Sequence, residues 1–186
     1  MIKENKNSIY IGAMFIMALF LFSFSTGIKI SPRLQEKLNN AVRTTFSLEE
    51  FDLQRIEVSE EVNSKTRVEL GGENLFSIET NDETIGYVYL GQAPSMKNIF
   101  DYVVLFNMDL SIKKSKVLIY REDYGRQIGS QRWLKQFIGK KTGDTLVYSE
   151  DVDAIAGATI SAKSMTKAVS DVLQSFEVLK ENNALK

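Results

Sequence analysis

Four runs of strand-forming residues in the middle of the chain most constrain its fold. They are rich in β-branched and aromatic side chains, and Asn81-Asp82-Glu83 forms a plausible turn between the first two. A polar connection near residues 107–114 separates the last two. Runs of this kind predict a twisted antiparallel sheet, with strands near residues 76–80, 85–90, 100–106 and 116–120.

Helical patterns precede this predicted sheet. Ser31-Pro32 indicates a helix start with proline at the first helical position, and Leu34 and Leu38 then lie on one face. Ser47 with Glu50 fits the capping box of a short second helix.

Further helical patterns follow the sheet. Ser130 fits the cap of a short helix, and apolar residues recur at helical spacing between Ala162 and Phe176. The chain is therefore predicted to be an α+β protein, with an antiparallel sheet flanked by helices. We expect a membrane anchor at 1–28, a helical connector at 29–50 and one domain at 51–186.

The N-terminal segment is strongly apolar. Residues 9–24 are almost entirely apolar, and extension through Ile28 approaches the roughly 20 residues that cross a bilayer. A cleaved signal peptide is the alternative, but Ser23-Phe24-Ser25 matches a cleavage site only weakly. We therefore predict one uncleaved N-terminal transmembrane helix that places residues 9–28 in the lipid bilayer.

Two residue types are missing from the sequence of 186 residues, which contains no cysteine and no histidine. This excludes Cys-ligated iron–sulfur clusters, His- or Cys-ligated haem and the usual zinc sites. The formal net charge of −1 gives no basic footprint for nucleic acid. Any redox chemistry would therefore need an organic cofactor, and we predict neither a metal site nor catalytic residues.

A stretch of small residues precedes the last predicted helix. Gly157 and Ala158 allow close approach to the backbone, and Thr159 follows at or just before the helix N-terminus. The unpaired N–H groups and the dipole of a helix start favour a phosphate there. The alternative is that Thr159 or Ser161 is an ordinary N-cap.

This stretch resembles the flavinylation motif of the FMN-binding domain family, found in the G subunit of Rnf complexes and the C subunit of sodium-pumping NADH:quinone reductases. That pattern is Asp, two free positions, Ser or Thr, Gly, Ala, Thr. Ala156 departs from it by standing where Ser or Thr is usual. The resemblance implies that FMN is attached to Thr159 through a phosphoester bond. The matching residues are Asp153, Ala154, Ile155, Ala156, Gly157, Ala158 and Thr159.

A second loop resembles the same family. Glu122 and Gly125 match its Glu-Thr-Pro-Gly-type loop, whereas Asp123 and Tyr124 replace Thr and Pro. The resemblance implies that this loop lines the flavin site and that a Mg²⁺-dependent flavin transferase recognises Asp153. Trp133 either stacks on the flavin or belongs to the core. The predicted cofactor-binding residues are Thr159, Asp153, Ala156, Gly157, Ala158, Ile160, Ser161, Glu122, Gly125 and Trp133.

The function implied by the resemblance is electron relay by a membrane-anchored flavoprotein. Its soluble domain would be extracytoplasmic, on a single-pass anchor in the inner (cytoplasmic) membrane, because the family's transferase works on that side. Its expected partners are the transferase and membrane redox subunits. Two alternatives remain, namely the electron-input part of a flavin-dependent reductase and a non-redox membrane-anchored adaptor in which Thr159 is a plain cap.

Overall fold

The computed structural model describes residues 30–185, which contain a five-stranded antiparallel sheet with its strands in chain order. This confirms the predicted α+β fold with an antiparallel sheet. The predicted anchor at residues 1–28 lies outside the described residues. Within residues 30–185, none of the helices has the length and apolar character needed to span a bilayer. The strands are β1 Asp52–Arg55, β2 Leu75–Thr80, β3 Glu83–Pro94, β4 Ile99–Phe106 and β5 Ile112–Ile119.

The β2–β3 hairpin forms where the sequence predicts it. Asn81 and Asp82 have φ values of 51° and 63°, and Thr80 pairs with Glu83 across the turn. Positive φ at both central residues is the backbone of a type I′ turn, which Asn and Asp tolerate better than most residues. The structure adds the short edge strand β1, which the sequence analysis did not predict, and β5 starts four residues earlier than expected.

One face of the sheet is covered by helix α1, Pro32–Phe46. The helix starts at Pro32, as predicted, and Ser31 caps it by accepting a hydrogen bond from the Leu34 N–H at 3.3 Å. Leu34 and Leu38 are buried in an apolar cluster with side chains of β2, β3, β4 and β5. The prediction that Ser47 starts a second helix is wrong, because Ser47 ends α1 in the left-handed conformation with φ 57°.

The other face of the sheet is covered by the long helix α4, Thr159–Glu181, together with the short helix α3, Gln131–Leu134. Helix α2, Glu60–Asn63, lies between β1 and β2. Phe176 of α4 stacks on Phe106 of β4 with a ring-centroid distance of 4.3 Å. Ser164, in the second turn of α4, donates a hydrogen bond to the Pro94 carbonyl at the end of β3. The Ser164 contact places the start of α4 beside the β3–β4 hairpin.

Candidate functional site

Thr159 is the first residue of α4, and its side chain is exposed. Within residues 30–185, its hydroxyl makes only a long contact of 3.5 Å with the Ile155 carbonyl oxygen. The N-cap position belongs to Ala158, and no side chain of the described residues caps the helix. The alternative that Thr159 or Ser161 is the N-cap is therefore wrong. The Thr159 hydroxyl lies at the positive end of a 23-residue helix, which favours a bound anion.

Gly157 leaves open space beside this helix start. Its φ is 76°, a conformation that glycine adopts at little cost, and among residues 30–185 no heavy atom outside its immediate chain neighbours lies within 4 Å of the position of a Cβ. Ala156 and Ile160, on either side of the Gly157–Thr159 turn, are also exposed. The predicted attachment residue thus lies on an open, shallow surface rather than in a cavity.

The N-terminal end of the motif is held by its backbone. The indole N–H of Trp133 donates to the Asp153 carbonyl at 2.7 Å, and the Asp153 N–H donates to Gln136 Oε1 at 3.0 Å. Trp133 itself is buried and packs edge-on against Phe137, with a ring-centroid distance of 5.3 Å. Trp133 therefore belongs to the core and contacts the motif through the Asp153 backbone, while the Asp153 carboxylate is exposed.

Gly125 lies against the other end of the motif. Its φ is 77°, and a Cβ placed on it would lie 3.1 Å from the Gly157 carbonyl oxygen and 3.3 Å from the Ala158 Cβ. Tyr120 lies in the same contact, because its hydroxyl oxygen would be 2.9 Å from that Cβ. A side chain at position 125 would therefore separate this loop from the motif.

Ser161 points into the protein rather than toward the surface. Its side chain is buried, and its hydroxyl shares a hydrogen bond of 2.9 Å with the Tyr120 hydroxyl. This hydrogen bond joins the end of β5 to the first turn of α4. Tyr120 was not among the predicted site residues, because no local signal in the sequence links it to the motif.

Glu122 is bound by the β3–β4 hairpin. One carboxylate oxygen accepts hydrogen bonds from the Ser95 hydroxyl at 2.7 Å and from the N–H groups of Lys97 and Asn98 at 2.6 Å and 2.8 Å. These bonds, led by that of Ser95, lower the pKa of Glu122 to about 2. Glu122 is thus ionised at neutral pH, and in this structure it orients the hairpin.

Arg121 joins the same hairpin through a charged pair. Its guanidinium lies 2.6 Å from the carboxylate of Asp101, which is almost fully buried, and it also donates to the Ile99 carbonyl at 2.9 Å. Residues 120–125 therefore connect the hairpin to the motif, and we call them the clasp. Pro94-Ser95 and Asn98 are turn-forming residues that could have revealed the hairpin, but nothing local indicates that Glu122 binds it.

Exposed apolar side chains surround this region. Tyr124 of the clasp is 86% exposed, and Ile160 next to Thr159 is 54% exposed. Met96 and Ile99 of the β3–β4 hairpin are exposed as well. A cavity of about 450 Å³ lies elsewhere, between α1 and β1. Ile160 thus provides exposed apolar surface directly beside Thr159.

Comparison with known protein families gives a match to part of the chain. Residues 97–174 match the model of the FMN-binding domain, a segment that runs from the β3–β4 hairpin through the clasp and the motif into α4. This match confirms the predicted resemblance to that family and supports FMN as the cofactor, but it does not distinguish the Rnf type from the sodium-pump type. No curated protein matches the chain.

Proposed function

Because residues 97–174 match the FMN-binding domain model, we propose that the protein is a flavoprotein with FMN attached covalently to Thr159. Its role is to relay electrons between redox partners. The observation that carries this proposal is that Thr159, within the matched segment, is exposed at a helix start that no side chain of the described residues caps.

The residues around Thr159 fit an attached phosphate. The helix start supplies N–H groups and a positive dipole end, and Gly157 adds no side chain that would obstruct a ligand. Thr159 is exposed to solvent, as a transferase requires. Ala156, which stands in place of the usual Ser or Thr, is exposed, and its small side chain adds little bulk beside the helix start.

Attachment to Thr159 needs an activated flavin donor. The Thr159 oxygen attacks the flavin-side phosphorus of a flavin dinucleotide, and the pyrophosphate bond breaks. A nucleoside monophosphate leaves, the threonine proton passes to solvent, and a phosphodiester remains on the protein. This is a phosphoryl transfer, and it agrees with the Mg²⁺ dependence expected of the transferase, because Mg²⁺ neutralises the developing charge.

A covalent link suits a shallow site. FMN supplies one- and two-electron transfer when it is bound, and the protein supplies its position and surroundings. Tethering makes the interaction with the surface intramolecular, so that the effective concentration far exceeds that of free cofactor. The exposed surface beside Thr159 then allows the flavin to approach a redox partner directly.

The membrane context is part of the same proposal. Residues 1–28 would anchor the chain in the inner (cytoplasmic) membrane, with the flavin domain on the extracytoplasmic side beside membrane redox subunits. The apolar run at residues 9–24 supports the anchor. The chain would then act in a relay of the Rnf or sodium-pump type.

The test is the intact mass of the full chain after co-expression with a flavin transferase and export. Wild type should gain the mass of FMN less water, and its yellow colour should survive denaturation. Thr159→Ser keeps a hydroxyl and should still be modified, whereas Thr159→Ala should not. An unmodified wild type despite an active transferase would refute covalent attachment, and a non-redox adaptor or loosely bound flavin would then be favoured. Modification of Thr159→Ala would show that another residue is the acceptor.

A further inference from the structure

We infer that Tyr120 is a positioning residue for the modification of Thr159: its hydrogen bond to Ser161 holds the first turn of α4 so that the Thr159 side chain faces solvent. This inference rests on the proposed function, because it assumes that Thr159 is the acceptor. It concerns contacts that lie more than 30 residues apart along the chain.

The first contact sets the rotation of the helix. Side chains two residues apart on an α-helix point in directions that differ by about 200°. Ser161 is only 3% exposed and shares its hydrogen bond of 2.9 Å with Tyr120. While this bond holds Ser161 inward, Thr159 must point outward, which is the orientation observed.

The second contact sets how closely the motif packs on the clasp. Ala158, the N-cap residue, is 5% exposed and lies against Gly125. Because Gly125 has no Cβ, both the Tyr120 hydroxyl and the Ala158 methyl group can lie close to the Gly125 backbone. No side chain among the described residues caps α4, so packing takes the place of the missing cap in fixing where the helix starts.

The clasp is itself rigidly placed. Arg121 and Glu122 bind the β3–β4 hairpin through an ion pair and three hydrogen bonds to one carboxylate oxygen. The acceptor turn is thus preorganised by the folded domain. A transferase that binds a preorganised turn avoids the entropy cost of ordering it, and the modification should therefore be faster.

The experiment measures the initial rate of FMN transfer to the full chain by a purified Mg²⁺-dependent flavin transferase, with flavin dinucleotide as donor. The variants are Tyr120→Phe, Ser161→Ala and the double variant. Loss of one net hydrogen bond should slow each single variant about fivefold. The double variant should also be slowed about fivefold, rather than about 25-fold, because both changes remove the same bond.

The matched control is Ser170→Ala. Ser170 is a second buried serine of α4, and its hydroxyl accepts one hydrogen bond of 3.0 Å from the Leu146 N–H. This control loses a comparable buried hydrogen bond away from the acceptor, so its thermal stability should fall by a similar amount while its rate stays that of wild type. The control therefore separates positioning from general destabilisation.

The outcomes distinguish this inference from the proposed function. Wild-type rates in Tyr120→Phe and Ser161→Ala would overturn the positioning role and leave attachment to Thr159 intact. A Ser170→Ala rate as low as theirs, or a multiplicative loss in the double variant, would overturn it too. A wild-type chain that never gains flavin under an active transferase would refute the proposed function, and this inference with it.

Discussion

Two glycines of the site have almost the same backbone conformation but different surroundings, which allows one prediction to be worked out in detail. Gly125 has φ 77° and Gly157 has φ 76°. Replacement by alanine in the left-handed region costs about 1–2 kcal/mol at either position. The backbone term should therefore cancel when Gly125→Ala is compared with Gly157→Ala.

The steric term arises only at Gly125. Its new Cβ would lie 2.9 Å from the Tyr120 hydroxyl, 3.1 Å from the Gly157 carbonyl oxygen and 3.3 Å from the Ala158 Cβ. Overpacking of this kind costs about 1–3 kcal/mol. We therefore expect Gly125→Ala to lower the free energy of unfolding by about 2–5 kcal/mol and Gly157→Ala by about 1–2 kcal/mol.

The assay is urea unfolding of the full chain, followed by the fluorescence of Trp133, the single tryptophan. Trp133 is buried in the core, so its emission should report loss of packing. Gly139→Ala is the control for the backbone term. Gly139 has φ 82°, and within residues 30–185 no heavy atom outside its immediate chain neighbours lies within 4 Å of its Cβ position.

Equal losses in Gly125→Ala and Gly157→Ala would refute the reasoning. Equal losses would mean that the clasp moves away from the new methyl group with no loss of stability, and therefore does not pack firmly against the motif. If Gly139→Ala and Gly157→Ala lose very different amounts of unfolding free energy, the backbone terms do not cancel.

Three further predictions concern the clasp and the core. Glu122 has a pKa of about 2 against an ordinary value of 4.5, so the stability that it contributes should be present above pH 4.5 and lost as the pH falls toward 2. Glu122→Gln should therefore unfold at a lower urea concentration than wild type at pH 7, and the difference between the two urea midpoints should narrow by pH 3. Asp101→Ala leaves Arg121 without its carboxylate, which should cost about 1–3 kcal/mol in urea unfolding, and little further loss should follow when Arg121→Ala is added. Phe176→Ala removes the ring stacked on Phe106, which should cost about 3–5 kcal/mol, and a loss below 1 kcal/mol would contradict the packing described.

Local signals in the sequence determined the type of most elements and the place of the motif. Ser31-Pro32 marks a helix start because a cap and a proline act on the first turn alone. Asn81 and Asp82 mark a hairpin because they tolerate positive φ. The sequence also placed Thr159 at a helix start and gave the family resemblance that the comparison confirmed.

Only the tertiary structure decided the partners of the site residues. It holds Glu122 on the β3–β4 hairpin and Ser161 against Tyr120, and it puts Trp133 in the core, where the sequence had left its position open. Edge strand β1 also escaped prediction, because four residues carry too little periodicity to stand out. The physical reason is one of range: backbone preference and side-chain spacing act over a few residues, whereas these contacts depend on which sheet edge and helix face the whole fold brings together.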